Sequence, residues 1–254
     1  MINTDDVRCN LCGCREFGAT RTHPTTLCRG CNSYPRTRFL YLYLERFGLA
    51  AHHRVLHLAP ERSLYAKLRK TLDPERYVQA DIAPENYGFA HNVIHLDLCA
   101  LDDQPSEQFD VIINSHVLEH TPCNLGYTLF HLHRMLKPEG RHFLIVPFST
   151  GTFEESYEAM DEEERIRRFN QDDHVRRFGR DGIKSHLGAL LRLPEYPDAR
   201  VLFRERVLRE ANLPRAEWLG WKSSTVMELR RDDMVFFAYG AGAAGPAPEV
   251  ISAE

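Results

Sequence analysis

The sequence predicts an α/β protein with a doubly wound, mostly parallel sheet and a small ribbon ahead of it. From residue 53 short apolar runs alternate with segments of helical period, which is the pattern of strands joined by crossover helices. The runs are hydrophobic almost throughout and do not alternate, as expected for strands covered on both faces. Two CxxC pairs stand within the first 31 residues, apart from this pattern.

The first pair is Cys9-Asn10-Leu11-Cys12 and the second, after fifteen residues, is Cys28-Arg29-Gly30-Cys31. Two thiolates from each complete a closed tetrahedral shell around one zinc ion, a structural arrangement with no position left for substrate. Cys14 and His23 break the spacing and are read as bystanders. Cys99 and Cys123 are read as ordinary buried free thiols. Next, Phe39, Leu40, Tyr43, Leu44 and Phe47 recur at helical spacing, so a helix joins ribbon to main domain. Arg36 and Arg38 in that segment either face an anion or are solvated.

The main domain follows in order. Arg54–Leu58 is the first strand, Leu64–Leu72 a helix, Tyr77–Ile82 the second strand, Asn92–Leu96 the third and Phe109–Asn114 the fourth. Leu125–Leu136 is an amphipathic helix, Arg141–Pro147 a fifth strand, Ile183–Leu191 a helix, and Met234–Tyr239 the strand at the far edge. Residues 150–180 are a long polar insertion, expected to act as a lid. Within it, residues 161–168 read as a solvated helix with ion pairs. The domains are thus 1–36 for the ribbon, 37–240 for the main domain and 241–254 for a Gly/Ala/Pro-rich flexible tail.

Composition narrows the function. With 254 residues, a net charge of −4 and 43% hydrophobic residues, the chain is a globular protein in which no apolar run approaches the ~20 residues that span a bilayer. The start, MINTDDVRCN, lacks a secretory pattern, so a cytoplasmic location is expected. The charge balance argues against nucleic acid as the main partner.

Ligands of such sheets lie beyond the carboxyl ends of the strands. Those positions hold Ala59-Pro60-Glu61, Asp81, Asp97 and Asn114-Ser115-His116. Asp81 lies 22 positions after Ala59, near the ~20-residue offset at which a carboxylate grips ribose hydroxyls; its bland alternative is a helix N-cap. His116, His120 and His174 are the candidate general bases, because an imidazole titrates near neutrality. His116 and His120 also suit capping or packing. His174, Arg177 and Arg180 in the insertion suit a carboxylate or phosphate on a substrate. Trp218 and Trp221 belong either to an acceptor wall or to the core.

VLHLAPE, QADI, HLDL, FDVIINSHVLEH, LHRMLKPEGRHFLIVPF and QDDHVRRFGRDG together resemble class I S-adenosylmethionine-dependent methyltransferases, in particular a bacterial group with an N-terminal CxxC…CxxC ribbon. The resemblance implies a seven-stranded Rossmann-like sheet and S-adenosyl-L-methionine as cofactor. It implies Asp81 on the ribose, Asp97 and Leu98 at the adenine, and the backbone of Ala59 and Glu61 at the methionine moiety; because the loop after the first strand lacks glycine and holds the backbone farther off, the Glu61 side chain is expected to pair with the cofactor's amino group instead. Asn114, Ser115 and His116 would line the border between cofactor and acceptor. The chain departs from the family in having no glycine after its first strand, which also argues against a dinucleotide, whose pyrophosphate needs close amides. The expected activity is methyl transfer to a small polar, anionic metabolite. RNA or protein recognition through the ribbon, or a non-catalytic cofactor-binding module, are the alternatives.

Overall fold

The computed structural model describes residues 7–20 and 24–236. Two short strands, β1 (Phe17–Gly18) and β2 (Leu27–Cys28), pair antiparallel and carry the ribbon. Helix α1 (Pro35–Phe47) follows, with proline at its start, where the missing N–H costs nothing, and Gly48 closing it in the left-handed conformation. The main domain then runs β3 (Val55–Leu58), α2 (Arg62–Leu68), β4 (Tyr77–Asp81), β5 (Ile94–His95), β6 (Phe109–Ser115), α3 (Leu125–Met135) and β7 (Leu136–Ile145). The insertion contributes β8 (Glu154–Glu155), α4 (Glu162–Phe169) and β9 (Arg176–Arg177); α5 (Leu187–Leu190), α6 (Glu205–Glu210) and β10 (Met227–Arg230) complete the chain order.

The large sheet has the order β10-β7-β6-β3-β4-β5, parallel except for β10. Six strands lie among the described residues, with β3 and β6 at the centre. Successive residues of one strand feed opposite faces: Val55, Val111, Ile113, Phe143 and Ile145 join one apolar cluster, and Leu56, Leu58, Ile112 and Leu144 the other. The first cluster is completed by α1, α2 and α6, the second by α3 and α5, so both faces are covered as predicted.

Several expectations need correction. The antiparallel edge strand is Met227–Arg230, not Met234–Tyr239; Met234 makes only an isolated bridge to Leu191, and residues 237–239, like the tail, lie outside the described residues. The charged MELR segment succeeds there because Glu228 faces Arg46 at 3.1 Å and Arg141 at 3.8 Å. The third strand shrinks to two exposed residues at the opposite edge. The Ile183–Leu191 helix breaks into a 3-10 turn and the four-residue α5. Cys99 and Cys123 are not free: they form a disulfide between the exit of β5 and the approach to α3. Trp218 and Trp221 are both buried in the clusters.

The ribbon is not a loosely attached appendage. Cys9, Leu11 and Cys28 belong to the same apolar cluster as Phe39, Leu64 and Phe203. Arg38 is neither solvated nor facing an anion. It is fully buried and donates to the carbonyls of Thr26 at 2.8 Å, Ser33 at 2.7 Å, Ala211 at 2.8 Å and Asn212 at 2.9 Å, knitting the ribbon to the segment after α6. Among the described residues no helix is long and apolar enough to cross a membrane.

Candidate functional site

The carboxyl ends of β3, β4 and β6 open onto a cleft of about 380 Å³. Ala59, Asp81, Asp97, Leu98 and His116 line it, as the sequence reading expects, together with Tyr87, His120 and Thr121. Ala59 sits at φ +45, in the left-handed region that a side chain disfavours, so the chain turns sharply after β3 without glycine. Asp81 accepts from the Ala83 amide at 2.8 Å through one oxygen and from the Tyr87 hydroxyl at 2.8 Å through the other. That is a turn-capping role, yet an ionised carboxylate offers about four acceptor positions, and two remain for a diol. Burial and the Asp81 carboxylate push the Tyr87 phenol up, so it stays a donor that fixes the carboxylate's orientation. Asp97 likewise accepts from the Cys99 amide at 2.8 Å.

Three expected cofactor residues are placed otherwise. Glu61 does not line the cleft; it accepts from Arg36 at 2.9 Å and from the Thr37 hydroxyl at 2.5 Å, so the head of α1 already holds it. Asn114 and Ser115 are buried at the end of β6, with the Asn114 amide and the Ser115 hydroxyl lacking hydrogen-bond partners, and neither reaches the cleft wall.

A second cleft, of about 660 Å³, is lined by Arg36, Phe148, His174, Arg176, Arg177 and Ser223, among others. Arg177 pairs with Glu154 at 3.1 Å, and Arg180 is exposed and lines neither cleft. The insertion is fastened to the rest by Arg176, which the sequence reading passed over. Its guanidinium is fully buried and donates to the carbonyls of Leu118 (2.6 Å), Thr121 (2.9 Å) and Cys123 (2.5 Å) and to the Thr121 hydroxyl, while Glu155 pairs with it at 3.1 Å. Strand alternation explains the difference between Arg176 and Arg177: neighbours on β9 point to opposite sides. A backbone bond from Val175 to the Glu119 carbonyl, 2.9 Å, completes the seam.

The HVLEH segment runs through this seam. His116 has φ +57, a strained setting for a non-glycine residue, and its Nε2 donates to the Ser223 carbonyl at 2.8 Å. Its Nδ1 lies 3.3 Å from a Glu119 oxygen. Residues Leu118–His120 form a 3-10 turn that drives Glu119 inward, so its carboxylate is only 1% exposed. Burial pushes that carboxyl up, but the His116 and His120 rings outweigh it and hold the group below its ordinary range. His120 packs edge-on against His174, ring centroids 4.7 Å apart, and its Nδ1 faces Asp173 at 3.2 Å. His174 is buried and donates through Nδ1 to the Phe169 carbonyl at 3.0 Å; burial pushes its pKa down, keeping the ring neutral. The three histidines singled out in the sequence therefore do converge, around a glutamate that was not.

Outside the lining of both clefts, the sulfurs of Cys9, Cys12, Cys28 and Cys31 lie within 4.8 Å of one another, the set a tetrahedral metal requires. Cys14 is outside the group, and His23 is outside the described residues. The buried Arg38 guanidinium nearby offsets thiolate charge.

Residues 61–189 match the family model described as "Methyltransferase domain", just over half the chain. No curated protein matches this chain. Among solved structures, the 1,6-didemethyltoxoflavin-N1-methyltransferase of Burkholderia thailandensis is 17% identical, with 77% of each chain covered and a TM-score of 0.43. The YcgJ protein of Bacillus subtilis is 18% identical over 70% of this chain and 79% of its own, TM-score 0.41. The trans-methyltransferase CalH, complexed with SAH, is 23% identical over 42% of this chain, TM-score 0.32; the chain spans 36% of its length.

Proposed function

Since the chain belongs to the family of class I S-adenosylmethionine-dependent methyltransferases, we propose that it transfers a methyl group from S-adenosylmethionine to a small polar, anionic metabolite. The observation that carries this reading is the pair of clefts on either side of the His116–His174 seam. One is walled by the carboxylates Asp81 and Asp97 at strand ends; the other is lined by Arg36 and Arg177. A nucleoside with ribose hydroxyls suits the first and an acid suits the second.

The cofactor supplies an activated methyl on a sulfonium centre. The protein's part is mainly orientation, since in-line displacement rewards correct alignment above all. Asp81, oriented by Tyr87 and the Ala83 amide, holds the ribose. His116, anchored to Ser223, fixes the border between the clefts. Arg177 stands at the acceptor, with Glu154 holding its guanidinium in place. We assign zinc to the four thiolates, as a structural ion, because the shell is closed and two of its cysteines are part of the core.

The test is calorimetric binding of S-adenosylhomocysteine to the full chain, followed by transfer of labelled methyl into a cell extract separated into small molecules, RNA and protein. Label in the small acidic fraction is expected. Label confined to RNA or protein would refute the acceptor assignment, and absence of S-adenosylhomocysteine binding would refute the cofactor.

A further inference from the structure

One carboxylate and two imidazoles converge at the seam between the two clefts, and their internal contacts leave ligand atoms unused. A ligand atom from each of Glu119, His120 and His174 lies within 4.8 Å of the other two. The almost fully buried Glu119 carboxylate has only the His116 Nδ1, 3.3 Å from one oxygen, beside it, and neither oxygen meets an aligned hydrogen-bond donor; the Nε2 of His174 is likewise buried and unpartnered. A carboxylate buried this deeply with a single imidazole beside one oxygen keeps most of its acceptor capacity unused, and such capacity persists where something else fills it. The imidazoles are prepared in the way metal-binding histidines are. His174 donates its Nδ1–H to the Phe169 carbonyl, and the Nδ1 of His120 faces the Asp173 carboxylate. In each case the partner at Nδ1 fixes the ring and leaves the far nitrogen free to ligate. The seam brings them together: the Val175–Glu119 backbone bond sets the insertion's histidine beside the 3-10 turn.

We propose that Glu119, His120 and His174 form a site for a divalent first-row transition cation, which anchors an acceptor bearing two adjacent oxygen donors. Two imidazoles and one carboxylate form a donor set that leaves coordination positions open. The position suits that use, because His120 lines the cofactor cleft and His174 the acceptor cleft. The acceptor role rests on the methyltransferase reading above, whereas cation binding does not. On coordination the acceptor hydroxyl gives its proton to solvent. Its oxygen then forms a bond to the methyl carbon while the carbon–sulfur bond breaks, the pair staying on sulfur as S-adenosylhomocysteine.

The test uses the full chain, treated with a chelator too weak to strip a four-thiolate site and titrated with Co2+. One equivalent beyond the ribbon is expected, with d–d bands but no growth of sulfur-to-cobalt charge transfer. Glu119→Gln and His120→Gln should each weaken it by roughly tenfold or more. The His120 side chain is partly exposed, so its variant decides the matter if the glutamate variant does not fold. No such equivalent in the natural protein, or unchanged affinity in His120→Gln, would overturn the site. Acetohydroxamate, a bidentate oxygen probe, should shift the d–d bands; unshifted bands would overturn the acceptor role. S-adenosylhomocysteine affinity measured on the same samples separates these results from failure of the methyltransferase reading.

Discussion

Arg176→Met removes the clamp between the insertion and the wall of the cofactor cleft while keeping the length and apolar stem of the side chain. Three carbonyl oxygens, those of Leu118, Thr121 and Cys123, lose a charged donor, and Glu155 loses its charged partner. A hydrogen bond from a charged group contributes about 1.5–3 kcal/mol, but donors that share one guanidinium do not add. Glu155 is 30% exposed and keeps the Tyr157 hydroxyl, so the loss comes from the buried carbonyls; at about 1–3 kcal/mol for a buried group left unpaired, about 3 kcal/mol in all is expected. Urea unfolding of natural and variant chains checks it, with stability read from the midpoint at constant slope. Thr121 and Pro122 belong to the cleft wall, so S-adenosylhomocysteine affinity should fall as well. A loss below about 1 kcal/mol together with natural affinity would refute the clamp. Arg177→Met, whose side chain is half-buried and pairs only with Glu154, is the control and should cost little stability.

Asp81→Asn keeps the shape but loses the charge that accepts the ribose hydroxyls; S-adenosylhomocysteine binding by calorimetry should weaken by about 10- to 100-fold, and unchanged affinity would remove Asp81 from the site. Burial pushes His57 and His133 down to about 4 from the ordinary 6.5. The unfolded chain then takes up protons that the folded one refuses. This part of the stability is complete above pH 6.5 and declines toward pH 4, by about 3 kcal/mol for His57 alone at about 1.4 kcal/mol per pH unit. A urea midpoint that stays flat from pH 6.5 to 5 would contradict it. Stripping the ribbon metal with a strong chelator should lower the thermal midpoint of the whole domain in one transition, since Cys9 and Cys28 are core residues; an early separate transition would argue against that coupling. Reducing the Cys99–Cys123 bond, which closes a loop with sequence separation 24, should cost about 3 kcal/mol by denaturant titration, and identical midpoints with and without reductant would show the cross-link idle.

The sheet was legible because its strands, VLHL and FDVIIN above all, are apolar on both faces, and a segment of that kind has only one comfortable environment. The far edge was not, since MELR is held by ion pairs from α1 and β7 that only the tertiary arrangement supplies. The four ribbon cysteines were legible from spacing alone. Glu119 was not: a glutamate flanked by histidines ordinarily reads as exposed, and the 3-10 turn that buries it leaves no mark in the sequence. Arg176 escaped for a related reason, because which of two adjacent arginines turns inward depends on where β9 meets β8. The Cys99–Cys123 bond joins residues whose neighbours gave no spacing signal, and proximity arises only once the segments after β5 and before α3 line the same cleft.

Arg38 joins the ribbon to carbonyls 173 and 174 residues further along the chain. On the ribosome, at about 5–20 residues per second, the ribbon cysteines therefore wait roughly 10–35 s between their own synthesis and the arrival of the segment that Arg38 ties to the ribbon. Through that interval the sulfurs of Cys9 and Cys28, buried in the finished protein, stand open to oxidation or to mispairing with Cys99 and Cys123 unless an ion holds them. The ribbon is thus the first part of the chain to be made and among the last to be completed.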